Sequence, residues 1–130
     1  MTGNEMKQRT KTFALRVLRL AEALPHTIEA DVIKRQIVRS GTAVVSGYRA
    51  ACRAKSDSDF AYKLSVVEEE ADETALWLEL IVEDGMLSAE KATLLLAEAN
   101  EITAMMVSSQ KTNRVLRVAG DPKSKLKIPN

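Results

Sequence analysis

The chain is poor in the residues that interrupt regular backbone structure, since its 130 residues include only five glycines and three prolines. Helix breakers this sparse favour a few long helices over many short strands separated by turns. Aromatic residues make up 4% of the sequence, which disfavours an all-β sandwich because strands are enriched in them. With hydrophobic residues at 45% and charged residues at 28%, the composition predicts one folded, all-α domain.

The sequence also has few of the side chains that catalysis and metal binding need. A single cysteine, Cys52, excludes an internal disulfide and a zinc site of the Cys/His type. The one histidine, His26, falls in a predicted loop, so the paired Glu-x-x-His motifs of a di-iron bundle cannot form. Glycine-rich phosphate loops and nucleophile elbows are missing as well. We therefore expect no enzymatic activity, no cofactor and no metal.

Long apolar stretches are missing too. The first seven residues, Met1 to Lys7, contain no apolar signal core, and no run of 18 apolar residues occurs in the sequence. These absences predict a cytoplasmic protein that does not use a membrane as a partner.

The charges are distributed unevenly along the chain, although the formal net charge is only +1. Residues 1–63 carry twelve basic and six acidic side chains, whereas residues 64–110 carry one basic and eleven acidic ones. Residues 111–130 are basic again, with six Lys or Arg and one Asp. Two interpretations follow: basic and acidic helices neutralise each other within one bundle, or a basic surface binds a polyanion.

Four helices are predicted from the apolar spacing and from cap and breaker residues. Their expected ranges are residues 5–24, 28–54, 57–84 and 88–118, followed by a basic, flexible tail over residues 119–130. Pro25 ends the first helix and Thr27 caps the second. Ser56 and Asp59 form a capping box for the third helix, which Gly85 ends. Because the connections are short, we expect an up-down-up-down antiparallel bundle as a single domain over residues 1–118.

The third predicted helix carries apolar or small residues at alternating steps of four and three. This is the heptad spacing that keeps one stripe of a helix against a partner helix. The spacing therefore predicts a core-facing seam, which consists of Phe60, Leu64, Val67, Ala71, Thr74, Leu78 and Ile81.

The second predicted helix has two faces that must be covered. One is a large apolar face suited to the bundle core: Ile33, Ile37, Val44 and Tyr48. The other consists of small residues, which let helix backbones approach closely: Ser40, Ala43, Gly47, Ala50 and Ala54. Glycine inside a helix costs about 1 kcal/mol relative to alanine, so its presence indicates close packing. We interpret the small-residue face as a subunit interface, which predicts a homo-oligomer.

A third face of the same helix is basic, and it carries Arg35, Arg39, Arg49 and Arg53. The third helix offers a matching acidic stripe of Glu68, Asp72, Glu79 and Glu83. Either the two stripes pair within or between subunits, or the arginines contact RNA or DNA phosphates. A guanidinium group suits both roles because its planar fork binds carboxylate and phosphate alike. Three lysines of the tail would extend a nucleic-acid surface: Lys123, Lys125 and Lys127.

Seven short segments between Gln36 and Glu79 have a characteristic order and spacing. They are Arg39-Ser40-Gly41-Thr42, Tyr48-Arg49, Arg53-Ala54-Lys55-Ser56, Asp59-Phe60, Lys63-Leu64, Glu73-Thr74 and Trp77-Leu78-Glu79. In these segments the chain resembles the bacterial four-helix-bundle proteins called 23S rRNA intervening-sequence proteins. The four-helix plan of that family covers residues 5–118 of this chain.

The resemblance implies an up-down-up-down bundle and a homopentameric barrel, the form of family members of known structure. A relative, the accessory variability determinant of diversity-generating retroelements, is a basic pentamer that binds nucleic acid and a reverse transcriptase. This chain departs from the family pattern at Gly47, where Asn is frequent, and at Ala50, where Glu is frequent. Both departures enlarge the small-residue face and weigh against any activity that depends on the lost polar groups.

From these observations we expect a non-enzymatic oligomeric scaffold or adaptor. The alternative is a nucleic-acid-binding module that uses the basic stripe, acting as a partner of a nucleic-acid enzyme. A third interpretation places a protein partner on the fourth helix around Met105 and Met106, although methionine more often fills a core. RNA or DNA binding that falls steeply with salt would distinguish the nucleic-acid module from the scaffold.

Overall fold

The computed structural model describes residues 1–118, and all regular structure within them is helical. The helices are α1 (Gly3–Glu22), α2 (Ile28–Ala51), α3 (Asp57–Glu83) and α4 (Ala89–Val118). Each helix packs on its neighbours in sequence, and α1 also contacts α4, which closes the bundle. The prediction of an all-α four-helix bundle is confirmed. The tail predicted over residues 119–130 lies outside the described residues.

Threonine side chains cap the starts of α1 and α2, where backbone N–H groups have no acceptor within the helix. Thr2 Oγ1 accepts a hydrogen bond from the backbone N–H of Glu5 at 3.1 Å. This cap starts α1 at Gly3, two residues earlier than the sequence predicted. Thr27 Oγ1 accepts from the backbone N–H of Ala30 at 3.1 Å, as predicted for α2.

The start of α3 is a variant of the predicted capping box. Ser56 Oγ accepts a hydrogen bond from the backbone N–H of Asp59 at 3.0 Å. The Asp59 carboxylate reaches back to the backbone N–H of Lys55 at 3.1 Å, one residue before the cap, and also accepts from Lys63 Nζ at 2.9 Å. The hydrogen bond from Lys63, followed by that from the Lys55 backbone, holds the pKa of Asp59 below its usual value. The box therefore favours the ionised carboxylate.

The helix ends follow from backbone geometry. Gly85 adopts a φ of +76°, a left-handed conformation that ends α3 and that residues with a Cβ rarely adopt. The first helix ends at Glu22, ahead of Pro25. The second ends at Ala51, three residues earlier than predicted. The Ala54 N–H donates a hydrogen bond to the Ala51 carbonyl, three residues back, at 3.0 Å, instead of continuing the α-helical pattern. The last predicted turn of α2 is thus a tighter connection to α3.

The core runs along the bundle axis and consists mostly of aliphatic residues with a few large aromatic side chains. The predicted α3 seam is confirmed, because every one of its residues is buried: Phe60, Leu64, Val67, Ala71, Thr74, Leu78 and Ile81. On α2, Ile37, Val44 and Tyr48 are fully buried as predicted, whereas Ile33 is half-buried and packs at the edge of the core.

Two glycines of α2 let neighbouring helices approach closely. A Cβ atom at Gly41 would stand 2.8 Å from Cγ1 and 2.9 Å from Cγ2 of Val17 on α1, closer than folded side chains tolerate. A Cβ atom at Gly47 would stand 3.0 Å from Cγ2 of Val67 on α3. At both positions, close packing against another helix of the same chain therefore explains why the helix contains glycine.

An ion pair reinforces the contact between α1 and α4. The Arg9 guanidinium donates two hydrogen bonds to the Glu98 carboxylate, both at 2.7 Å, and lies 3.2 Å from Glu101. The hydrogen bond from Arg9 lowers the pKa of Glu98, although partial burial opposes this effect.

Arg9 also approaches the sulfur of half-buried Met105 at 3.3 Å, and Met106 is fully buried. Met106 fills the core, so the two methionines do not form an exposed docking surface on α4.

Candidate interaction surfaces

The four arginines of the predicted stripe are all exposed, but they do not share one environment: three lie on α2, and Arg53 lies in the connection that follows it. Arg39 is paired across the α2–α3 contact: its guanidinium lies 3.1 Å from Glu70 and also pairs with Glu73. Glu73 further accepts a hydrogen bond from the Trp77 indole at 3.3 Å. Within residues 1–118, Arg39 is the member of the stripe that forms an ion pair.

The carboxylates that meet Arg39 differ from the acidic stripe that the sequence predicted. Glu68, the first residue of that stripe, instead accepts a hydrogen bond from Gln110 of α4 at 2.7 Å. Its other members are exposed: Asp72, Glu79 and Glu83. The carboxylates that neutralise Arg39 are therefore Glu70 and Glu73, so the contact between basic α2 and acidic α3 uses a different set of α3 carboxylates from the predicted one.

Arg49 lies in a basic cleft that joins α2 to the first turns of α1. The cleft has a volume of about 140 Å³ and is lined by Asn4, Lys7, Gln8, Lys11 and Arg49. Among the described residues, three cations line it and no carboxylate does. The sequence stripe did not reveal this cluster, because it depends on how α1 packs on α2. We call it the α1–α2 basic cleft.

The remaining basic candidates are less defined. Arg35 and Arg53 are exposed and form no ion pair with any residue of the described range 1–118. Lys123, Lys125 and Lys127 lie outside the described residues. The assignment of these side chains to a nucleic-acid surface therefore stays a prediction.

The small-residue face of α2 lies largely against the chain's own helices. Ser40 is fully buried, and its hydroxyl lies 2.7 Å from that of Thr74 on α3. The other four members are half-buried: Ala43, Gly47, Ala50 and Ala54. Ser40 thus has an intrachain partner, and the half-buried residues retain some exposed surface. Their role in a subunit interface stays a prediction.

An exposed apolar groove lies between the N-terminal half of α2 and the C-terminal half of α3. Its volume is about 620 Å³, and it is lined by Ile28, Glu29, Val32, Ile33, Leu80, Glu83, Asp84 and Met86. Three of the apolar residues are strongly exposed: Ile28 at 81%, Val32 at 51% and Leu80 at 40%. Leu76, exposed at 45%, continues the α3 ridge by one turn. We call this the α2–α3 apolar groove.

The α2–α3 apolar groove was not predicted from the sequence, although the sequence contains a signal for it. Ile28 and Val32 are four residues apart on one helix, and Leu76 and Leu80 are four apart on the next. Such pairs lie on one helix face. Because neither pair belongs to the predicted core seams, each marks a second apolar face that the bundle leaves uncovered.

A second cleft lies between the C-terminal end of α1 and the start of α4. It has a volume of about 320 Å³, with an apolar floor that includes Leu20 and Leu95. Arg16, Arg19 and Lys91 also line it, and Arg19 is paired with Glu22 at 3.0 Å. The cleft is smaller than the α2–α3 apolar groove and its basic side chains project from exposed positions.

The titratable groups show no catalytic arrangement among the described residues. His26 is exposed, and no three His, Cys, Asp or Glu side chains of residues 1–118 come together as a metal site. The Tyr48 hydroxyl is buried and has no hydrogen-bond partner in this range. Burial, reinforced by the nearby Cys52 thiol, raises the pKa of Tyr48 above its ordinary value.

No helix in the described range is both long and apolar enough to cross a membrane.

The helix order, the core and the surface clefts define an all-α four-helix bundle. Residues 3–108 match the sequence profile of the 23S rRNA-intervening sequence protein family. The chain therefore belongs to the family of 23S rRNA-intervening sequence proteins, which confirms the resemblance seen in the sequence.

A solved structure agrees with this assignment. The chain is similar to a protein of unknown function from the S23 ribosomal protein family of Bacteroides thetaiotaomicron VPI-5482, with 33% sequence identity and a TM-score of 0.79. The match covers 86% of this chain and 100% of that one. Among curated proteins, none matches this chain. Neither the family nor the structural relative indicates an enzyme.

Proposed function

We propose that this chain is a non-enzymatic scaffold or adaptor that works in the cytoplasm as an assembly of its own copies. The observation that supports the proposal best is the α2–α3 apolar groove, with its exposed Ile28, Val32 and Leu80. Single exposed apolar side chains are ordinary on protein surfaces, whereas contiguous groups mark interaction sites. The groove is therefore the surface through which the copies associate.

In the proposed assembly the groove forms a one-sided contact. A surface on one copy receives a different surface of the next, which makes the interface heterologous, and such contacts close into rings when the rotation between copies allows it. A ring of five matches the homopentameric barrel that the family resemblance implies. The exposed parts of the small-residue face, such as Ala50 and Ala54, would add area beside the main contact.

The test compares two sets of full-length variants by sedimentation velocity across the micromolar range. Val32→Lys with Leu80→Lys places charges in the α2–α3 apolar groove and should shift the chain toward monomer. Leu94→Lys is the matched control, because Leu94 is exposed at 73% on α4 and does not line the groove. Unchanged assembly in the groove variant, or equal loss in the control, would refute the groove as the interface.

A second candidate function is binding of RNA or DNA at the α1–α2 basic cleft. The observation that favours it is the convergence of Lys7, Lys11 and Arg49, with no lining carboxylate from the part of the chain that the structure describes. Cations left unneutralised on the surface attract phosphates, and each phosphate contact releases condensed counterions. An assembly of several copies would present several such clefts, so that several weak phosphate contacts would act together.

A salt titration with fluorescently labelled duplex DNA and with single-stranded RNA tests this second function. Binding through the cleft predicts affinity that falls steeply with salt, by about 0.9 log units per contact per log unit of salt on duplex DNA. Arg49→Gln with Lys7→Gln should weaken binding and flatten that slope. Arg19→Gln is the control, because it removes a charge that Glu22 already pairs. Absence of binding at low salt would eliminate the candidate.

A further inference from the structure

The α2–α3 apolar groove has an acidic rim, which restricts what can fill it. Its apolar lining includes Ile28, Val32 and Leu80, and Glu29, Glu83 and Asp84 stand beside them, all three exposed. Among residues 1–118, no Lys or Arg lines the groove. An occupant that complements it must therefore present apolar side chains together with positive charges.

The last residues of this chain have that combination. Lys123, Lys125 and Lys127 alternate with Ser124, Leu126 and Ile128. Residues two apart project to the same side of an extended segment. An extended segment of this sequence would place Leu126 and Ile128 on one side, and its long lysine side chains could reach the groove rim.

The segment cannot fill the groove of its own chain. Asn113 of α4 donates a hydrogen bond to the backbone carbonyl of Asp57 at 3.3 Å, so the end of α4 lies level with the start of α3. Leu80 lies 23 residues further along α3, which is about 35 Å at the helical rise. Leu126 follows Val118 by only eight residues, which span at most about 29 Å when fully extended.

We infer that residues 123–128 of one copy dock in the α2–α3 apolar groove of a neighbouring copy. Leu126 and Ile128 cover the floor formed by Ile28, Val32 and Leu80, and the lysines face the acidic rim. The inference rests on the proposed self-assembly and names the segment that occupies its interface. It also makes the contact directional, because each copy gives its tail to one neighbour and receives the tail of another.

The location of the tail can be tested by cross-linking two different full-length chains, both carrying Cys52→Ala. One chain carries Val32→Cys and the other Leu126→Cys, so the disulfide expected after mild oxidation of the mixture joins two copies. The control replaces the first chain with Leu94→Cys, whose thiol is exposed on α4 outside the groove. Preferential cross-linking at position 32 supports the inference, and equal or absent cross-linking overturns it.

A mass measurement separates this inference from the proposed function. In the full chain, Leu126→Ser with Ile128→Ser should weaken assembly by at least about tenfold, because two apolar contacts are lost. Ser124→Ala serves as the control and should leave assembly unchanged. If the double variant assembles normally while the groove variant Val32→Lys/Leu80→Lys does not, self-assembly stands and the tail inference fails. If the unmodified chain is a monomer, both fail.

Discussion

The hydroxyl oxygens of Ser40 on α2 and Thr74 on α3 lie 2.7 Å apart in the buried contact between the two helices. Thr74 donates its proton to the backbone carbonyl of Glu70 at 2.8 Å, so Ser40 is the donor to Thr74. The pair fixes the rotation of α2 against α3, because hydroxyl groups in an apolar core are costly unless they meet. This same rotation leaves Ile28, Val32 and Leu80 exposed.

The Ser40–Thr74 pair should show energetic coupling in a double-mutant cycle. Ser40→Ala removes the donor, and Thr74→Val leaves the Ser40 hydroxyl with only the Ile37 carbonyl at 3.5 Å. Each change should lower the free energy of unfolding by about 1 kcal/mol, and the double variant should lose less than the sum by about 0.5–1.5 kcal/mol. Urea denaturation measures all four chains. Strictly additive losses would show that the two hydroxyls do not interact.

Gly41→Ala should destabilise the bundle, although alanine favours helix by about 1 kcal/mol. The new methyl group would meet the branched side chain of Val17 at 2.8 Å, and overpacking of this kind costs about 1–3 kcal/mol. Gly47→Ala should cost less, because its nearest contact, Val67 Cγ2, is 3.0 Å away and the site is half-buried. Val17→Ala combined with Gly41→Ala should cost less than the sum of the two single changes, because the new methyl group occupies space that Val17 vacates. Thermal unfolding that ranks Gly47→Ala as the more damaging change would contradict the packing described.

Arg9→Gln should lower stability in a way that depends on pH. At neutral pH the loss should be about 1 kcal/mol, since a partly buried, two-bond ion pair is disrupted. The folded-state pKa of Glu98 is lowered, so its contribution is present above the unfolded-state pKa and disappears as the pH falls through the lowered folded value. The difference between wild type and variant should therefore shrink on acidification. A constant difference down to strongly acidic pH would exclude this role for Glu98.

Tyr48→Phe should leave the protein as stable as the wild type or more stable by up to about 1 kcal/mol. Among residues 1–118 the buried phenol oxygen has no hydrogen-bond partner of good geometry, and the nearby Cys52 thiol is only a weak one, so its removal relieves a desolvation cost. Because the folded-state pKa of Tyr48 is raised, the wild type should also lose stability as the pH rises above the ordinary phenol pKa, and the variant should not. Chemical denaturation at neutral and alkaline pH measures both effects. A clear loss on substitution at neutral pH would mean that the hydroxyl has a partner.

Local signals in the sequence predicted the helices and the core well. The α3 seam from Phe60 to Ile81 was correct because a heptad repeat fixes which face of a helix is buried. Thr27, Ser56 and Gly85 marked helix ends because caps depend on neighbours only a few residues away.

The surfaces were harder to predict, because they depend on how helices rotate and slide against each other. Arg39 pairs with Glu70 and Glu73, whereas the predicted Glu68 turns toward α4. Two residues along a helix change the direction of a side chain by about 200°, so a spacing rule within one helix does not define its partner on another. The α1–α2 basic cleft around Arg49 could not be predicted for the same reason. Packing between the helices, such as that at Gly41, determines which α1 side chains lie beside Arg49.

The most direct test of the proposed self-assembly is the mass of the unmodified full-length chain in solution. Light scattering coupled to gel filtration, at micromolar concentration, reports that mass without reference to shape. We expect a discrete multiple of the 14.3 kDa chain mass, and five copies if the ring matches the family resemblance. A single species of 14.3 kDa that persists as the concentration rises would contradict the account.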